Sequence, residues 1–316
     1  MKCRVCRKAP VIELRQHNAA FCGDHFIAFC RRQVEKAIKQ FDMFAPDATV
    51  LVAVSGGKDS LALWDILHDL GYDTHGLSIG LGIGEYSESS SARSAKFAAD
   101  RGLELLEVDL AADHGFTVPK AAEVTKRVPC SSCGLSKRHI FDAVANEGNY
   151  DVVVTGHNLD DEAAVLFGNV ARWQTDYLGR QYPVLRAGNG FPRKAKPLVR
   201  LGEREMAAYC VIRGIDYIVD ECPMAAGNKH LVYKDLLNEM EVSSPGSKHA
   251  FYFGFLERAA ERFAVNDADT ALGECARCAS PTNGEICAFC KLVERATTTN
   301  DPQPVELTPR RPQERT

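Results

Sequence analysis

"TVLVAVSGGKDS", residues 49–60, is an apolar run that breaks into a small polar loop. A continuous apolar stretch of this length, rather than an alternating one, suits a parallel strand covered on both faces. Gly56 and Gly57 turn the chain, and a helical pattern follows over about 60–70. Its Leu63, Ile66, Leu67 and Leu70 share one face, and Gly71 sits at its end. In a strand–loop–helix turn of this kind, backbone N–H groups approach an anion closely and the helix N-terminus adds its positive end. The loop lacks the GxxxxGK[ST] spacing of a Walker A motif.

Outward from this turn the pattern repeats. Strands are expected over 74–80, 103–110 and 151–157. Helices are expected over 91–102, 136–148 and 159–171, with another over 26–44 ahead of the first strand. Short strands alternating with longer helices predict an α/β fold with a doubly wound parallel sheet. Beyond about residue 198 the pattern turns helical, over 202–214, 228–241 and 248–264. The expected organisation is a cysteine-rich knot at 1–26, an ATP-binding α/β domain at 27–200 and a helical part at 201–272. A second knot at 273–292 and a polar, proline-rich disordered tail at 293–316 complete it.

The chain has 316 residues, 45% of them hydrophobic, and a formal net charge of −4. No apolar run approaches the roughly 20 residues that span a bilayer. The N-terminus "MKCRVCRKAP" has no apolar core of a secretory signal, so a cytoplasmic protein without membrane contact is expected. The acidic balance argues against a uniformly basic nucleic-acid binder but leaves room for a local patch. "RKAKPLVR", 193–200, is such a run, and reads either as a solvated loop or as a phosphate contact through Arg193 and Lys194.

"TGHNLDDEA", 155–163, follows the strand at 151–157 and so lies at the carboxyl edge of the sheet, where open α/β sheets bind ligands. A carboxylate pair at a helix start is often a cap. Beside an anion loop, Asp161 reads better as a Mg²⁺ or catalytic carboxylate.

Twelve cysteines are many for a reducing compartment, and close pairs there read as metal ligands before disulfides. Cys3, Cys6, Cys22 and His25 have tetrahedral zinc spacing, and so do Cys275, Cys278, Cys287 and Cys290. Four protein ligands close each site, so both zinc ions are expected to be structural. Cys30 and Cys210 fall within apolar helical patterns and read as buried thiols. Cys130, Cys133 and Cys222 remain. Three thiolates suit a zinc with an open position, a [4Fe–4S] cluster with one unligated iron, or a persulfide–disulfide relay, and spacing does not choose among them.

The string SGGKDS after a buried strand resembles the PP-loop of the ATP pyrophosphatase superfamily, whose members cleave ATP between the α- and β-phosphates and transfer AMP to a carbonyl oxygen. The resemblance implies that Ser55, Gly56, Gly57, Asp59 and Ser60 hold the pyrophosphate end, with the charge of Lys58 beside it. It implies that Ala53 and Ile79 hold the adenosine, and that Gly156 and Asp161 complete the site. The order of motifs, a zinc knot, SGGKDS, "PCSSCG" with Lys137 and Arg138, GHNLDD, a late Cys-Pro and a four-cysteine ribbon, resembles the TtuA/TtcA group of tRNA 2-thiolation enzymes. The two knots favour its TtuA-like branch.

That resemblance implies adenylation of a tRNA uridine O2 and its replacement by sulfur. It implies a [4Fe–4S] cluster on Cys130, Cys133 and Cys222, and catalytic roles for Lys58, Lys137 and Asp161. It also implies tRNA as substrate, a ubiquitin-like thiocarboxylate protein as sulfur donor, and a homodimer. The rival readings are a persulfide relay without a cluster, an amide-forming PP-loop ligase, and a zinc-ribbon RNA-binding protein with a vestigial ATP loop.

Overall fold

The structure, a computed structural model, describes residues 1–225, 229–263 and 272–298. Ile12–Leu14 (β1) and Ala19–Phe21 (β2) pair as an antiparallel hairpin ahead of helix α1, Gly23–Gln40. The repeating units then follow: β3 (Thr49–Val54), α2 (Lys58–Asp69), β4 (Asp73–Gly80), α3 (Gly84–Arg101) and β5 (Leu105–Asp109). Two short helices, α4 (Leu110–His114) and α5 (Val118–Thr125), lead into α6 (Pro129–Glu147). The next unit is β6 (Val152–Thr155) with α7 (Leu159–Ala171). A helical turn, α8 (Thr175–Leu178), precedes two strands of two residues each, β7 (Val184–Leu185) and β8 (Lys194–Ala195). Helices α9 (Glu203–Arg213), α10 (Lys229–Ser243) and α11 (Ser247–Arg258) follow, and then β9 (Gly273–Glu274), β10 (Pro281–Thr282) and α12 (Ala288–Thr297).

The central sheet has the order β5-β4-β3-β6-β8-β7, parallel except for the β7–β8 edge. It is doubly wound, and alternation along its strands says so directly. Val50, Val52 and Val54 of β3 and Val152 and Val154 of β6 pack with α1, α2 and α9 on one face. Leu51 and Val153 pack with α5, α6 and α12 on the other. Burial on both faces explains why β3 and β6 are apolar throughout. The strand order reverses direction between β3 and β6, the place where such sheets open a ligand crevice.

The first face is one core that runs from Ile12 and Phe21 of the N-terminal hairpin to Tyr252 and Phe253 of α11, across the boundaries expected near residues 26 and 200. An ionic hub stiffens it. Asp65 of α2 is 1% exposed and accepts from Arg101 Nε at 2.7 Å, Tyr209 Oη at 2.7 Å and Arg213 Nε at 2.7 Å. The hub ties α2 to α3 and α9, and against the cost of burial these donors hold the Asp65 carboxyl below the usual range.

Several boundaries differ from expectation for local reasons. Helix α6 begins at Pro129, not near 136, because proline is well placed in a first turn. Cys130 and Cys133 therefore lie within the helix. Helix α3 starts seven residues early, at Gly84, since its serine-rich first turns carry no apolar stripe. Residues 293–297, assigned to the tail, continue α12, whose Leu292 and Ala296 are buried. The rest of the expected tail, 299–316, lies outside the described residues.

The basic run 193–200 is neither a solvated loop nor a free patch. Arg193 Nε donates to the Met43 carbonyl at 2.5 Å, and Lys194 pairs with Asp142 at 2.6 Å. Lys196 pairs with Glu162 at 2.8 Å, and Arg200 lies over the Phe253 ring. Each charge is already engaged inside the fold. Among the described residues no helix is long and apolar enough to cross a membrane.

Candidate active site and metal centres

A cleft of about 370 Å³ opens at the sheet's crossover, lined by the ends of β3, β4 and β6, the first turns of α2 and α7, and α3 and α6. Of the expected nucleotide residues, Ala53, Ser55, Asp59, Ser60, Ile79, Lys137, Gly156 and Asp161 line it. Gly56 and Gly57 form the loop behind it. Lys58 does not face it, and instead pairs with Asp59 at 3.1 Å and Glu203 at 3.9 Å.

The loop is built for close approach. Gly56 has φ +66, and a Cβ there would stand 2.5 Å from the Ser90 carbonyl oxygen. Ser90 Oγ donates to the Ser55 carbonyl at 2.7 Å, so α3 fastens the loop. Ser60 Oγ donates to the Gly57 carbonyl at 3.0 Å and accepts from Ser55 N at 3.1 Å. Gly57 caps α2 with no side-chain hydrogen bond, which leaves the first-turn N–H groups to an anion. From α3, Tyr86, Ser87 and Ser90 also line the cleft, and reading the sequence did not assign them. Their signal was the run of small polar residues "YSESSS" at the carboxyl end of the second strand.

The turn after β6 docks on this loop. Asn158 caps α7, accepting from Asp160 N at 2.8 Å and Asp161 N at 3.2 Å. Asp161 Oδ2 in return accepts from Asn158 N at 3.0 Å, which closes a capping box. Asn158 Nδ2 donates to Asp59 Oδ1 at 3.0 Å and so links the two aspartates. Asp161 is thus both cap and cleft residue, and its free Oδ1 meets Lys234 of α10 at 2.6 Å. Against partial burial, the Lys234 ammonium holds Asp161 below the usual carboxylate range. Burial, together with the like charge of Asp161, pushes Asp59 up. Two facing carboxylates of this kind fit a hard divalent cation that also takes phosphate oxygens.

Cys130, Cys133 and Cys222 converge at the N-terminus of α6. Cys130 Sγ lies 3.7 Å from the Met224 carbonyl, in the turn that follows Cys222. Burial raises the Cys133 thiol, while Lys137 one turn along acts to lower it. Tyr86, from the cleft, feels the charges of both Cys222 and Cys133. Lys137 and Tyr86 therefore stand between the nucleotide cleft and the three thiols.

The two knots are tighter. Cys3, Cys6, Cys22 and His25, and Cys275, Cys278, Cys287 and Cys290, are the sets among the described residues whose ligand atoms all lie within 4.8 Å of one another. Cys22 Sγ is 3.1 Å from His25 Nδ1, Cys6 Sγ is 3.6 Å from Cys22 Sγ, and Cys278 Sγ is 3.7 Å from Cys287 Sγ. Tetrahedral zinc at ~2.3 Å from each sulfur sets them ~3.8 Å apart, so both knots fit a single ion. Backbone N–H donors, that of Cys287 foremost, bring the Cys275 thiol down to about 6. Cys130, Cys133 and Cys222 are not among the sets that meet this limit.

The second knot also braces the cysteine helix. Phe289, between Cys287 and Cys290, stacks on His139 of α6 with ring centroids 4.0 Å apart. Burial, with His114 nearby, takes His139 down to about 4, so the stacked ring is neutral at neutral pH.

Comparison with known proteins gives a consistent result. Residues 2–27 match the family "2-thiouridine synthetase TtuA, N-terminal LIM domain", and residues 30–226 match the "PP-loop domain". The tRNA-5-methyluridine(54) 2-sulfurtransferase of Thermus thermophilus is 50% identical over 292 residues, covering 92% of this chain and 91% of its own. That of Pyrococcus horikoshii is 39% identical, covering 92% and 93%. The U34-tRNA thiolase NcsA of Methanococcus maripaludis, solved with its [4Fe-4S] cluster, superposes with a TM-score of 0.79 at 26% identity, covering 93% of this chain and 96% of that one. The chain belongs to the TtuA branch of the PP-loop tRNA 2-thiolation enzymes.

Proposed function

We propose that this enzyme uses ATP to replace the O2 of uridine 54 in tRNA with sulfur. The observation that carries the reading is the placement of Lys137 and Tyr86 between the ATP cleft and the three-cysteine set. The choice of position 54 follows the relatives at 39–50% identity, all named for that position. Those named for the wobble position or for general 2-thiolation are more distant.

ATP enters with its phosphates on the Ser55–Ser60 loop and the open N–H groups of α2. Asp59 and Asp161 would hold Mg²⁺ against those phosphates. Uridine O2 attacks the α-phosphorus, the bond to the β-phosphate oxygen breaks, and pyrophosphate leaves. Lys137, which has no ion-pair partner among the described residues, offsets the developing negative charge. The oxygen, now bonded to AMP, becomes a leaving group, and a sulfur nucleophile at C2 expels AMP. Cys130, Cys133 and Cys222 would hold the [4Fe–4S] cluster, which would supply an iron able to bind sulfide. Orienting sulfide and adenylate together replaces a bimolecular step. A ubiquitin-like thiocarboxylate protein as sulfur donor, a homodimer and a cytoplasmic setting complete the proposal.

The test is anaerobic reconstitution followed by nucleoside mass spectrometry of the tRNA, mapped to position. Sulfur at position 54 with tRNA-dependent pyrophosphate release supports the reading. Sulfur at the wobble position, or pyrophosphate release driven by a small acid and ammonia, rejects it. Lys137→Ala is expected to slow pyrophosphate release ~100-fold while leaving the cluster's absorption in place.

A further inference from the structure

Consecutive residues at the start of α7 face two different cavities. Asp161 lines the nucleotide cleft, and Asp160 lines a second cleft of about 910 Å³ between the N-terminal hairpin, α1, the start of α9 and the α10–α11 turn. No part of the chemistry above uses this second cleft.

Its carboxylates are bound internally. Asp160 is paired with Lys248, and Glu203 with Lys234 and Lys58. Glu205 accepts from Gln16 Nε2 at 2.5 Å, and Glu241 accepts from the N–H groups of Gly246 and Lys248 that open α11. Its cations are not matched in the same way. Arg15, Lys36 and Arg204 are exposed in the lining and, among the described residues, carry no ion pair or hydrogen bond from their side chains. Arg200 bonds the neutral Gln33 and Gln40. Burial foremost, and then the Arg200 charge, hold the His17 and His249 rings of the lining below their ordinary value.

We propose that this cleft seats the phosphodiester backbone of the tRNA beside the nucleotide site, with Arg15, Lys36 and Arg204 as its phosphate contacts. The proposal rests on tRNA being the substrate. Guanidinium forks match phosphate geometry. A protein partner would instead want an interface core poor in charge and anchored by aromatic side chains, and this lining is charged. The location also explains reach. Asp160 of this cleft is one residue from Asp161 of the nucleotide cleft, so a strand seated here lies beside the site that would hold ATP.

The experiment measures tRNA binding to the zinc- and cluster-loaded protein by fluorescence anisotropy across a KCl series. The triple variant Arg15→Ala, Lys36→Ala, Arg204→Ala is expected to bind ~10- to 100-fold more weakly at low salt, with the log K against log[salt] slope smaller by about two to three. ATP binding should be unchanged. Arg15→Lys with Arg204→Lys should keep most of the slope, which separates lost charge from misfolding. Lys96→Ala with Lys120→Ala, exposed elsewhere, should change neither quantity. Unchanged affinity and slope in the triple variant overturn the cleft as the seat. So does retained tRNA binding with loss of binding to a polyglutamate probe, the sign of an acidic protein site. If the unaltered protein binds no tRNA at all, the thiolation reading fails with it.

Discussion

Lys234 Nζ lies 2.6 Å from Asp161 Oδ1 and 2.5 Å from Glu203 Oε1, so helix α10 places a cation on the carboxylate that faces the nucleotide. That ammonium sits on the carboxylate to which a bound divalent ion would bring its own positive charge. Lys234→Met keeps the length of the side chain and removes the charge. Without added Mg²⁺ the variant is expected to lose about 2 kcal/mol of stability, because Asp161 is left unpaired beside Asp59. Mg²⁺ should restore part of the loss and should half-saturate pyrophosphate release at a lower concentration than in the unaltered enzyme. Thermal unfolding with and without Mg²⁺ checks the first point. No dependence of the difference on Mg²⁺ would remove Lys234 from the site.

The Asp65 hub gives a pH signature. Its folded-state carboxyl is held below the usual value, so its stabilisation is fully present above the unfolded value of about 4 and is lost as pH falls through the lower folded value. Asp65→Asn is expected to cost about 3 kcal/mol at pH 7, since it leaves Arg101 without its carboxylate and Arg213 with Asp69 alone. The gap to the unaltered protein should narrow below about pH 4. Urea midpoints between pH 7 and pH 3 read this directly, and a gap independent of pH would contradict it.

Gly156 is where the β6–α7 turn touches the phosphate loop. A Cβ there would stand 2.8 Å from Ser60 N and 2.9 Å from the Asp59 carbonyl carbon, both backbone atoms with little room to move. Gly156→Ala is expected to weaken ATP binding at least ~10-fold by opening the joint between Asp59 and Asp161. Gly254→Ala, in α11 with nothing within 4 Å of the new methyl, should bind ATP normally and gain up to ~1 kcal/mol of stability. Calorimetric titration of both variants separates the loop effect from a general one.

The Phe289–His139 stack joins the second zinc knot to the helix that carries Cys130 and Cys133. Phe289→Ala is expected to cost about 3 kcal/mol and to lower iron retained after anaerobic reconstitution, with zinc at the first knot intact. Cys278→Ser, which removes an exposed ligand of the second knot, should lower iron in the same way. Metal analysis per chain is the readout, and full iron in both variants would mean the knot acts elsewhere.

The sequence by itself determined the local layers of this protein. The apolar runs at β3 and β6, the SGGKDS loop and the paired cysteine spacings pointed to a doubly wound sheet with an anion loop and two knots that suit a metal ion, because strand burial, turn sterics and tetrahedral ligation act over a few residues. Only the tertiary structure decided what met across the chain. Lys58, beside the loop in sequence, turns away to Glu203, while Lys234 from α10 reaches Asp161. The basic run at 193–200 looked free but is consumed by Asp142, Glu162 and backbone carbonyls, whereas Arg15, Lys36 and Arg204, scattered in sequence, share one cleft. A side chain's charge is written in the sequence. Whether that charge is neutralised depends on which distant groups the packed helices bring within a few ångströms, and that is fixed only when the fold closes.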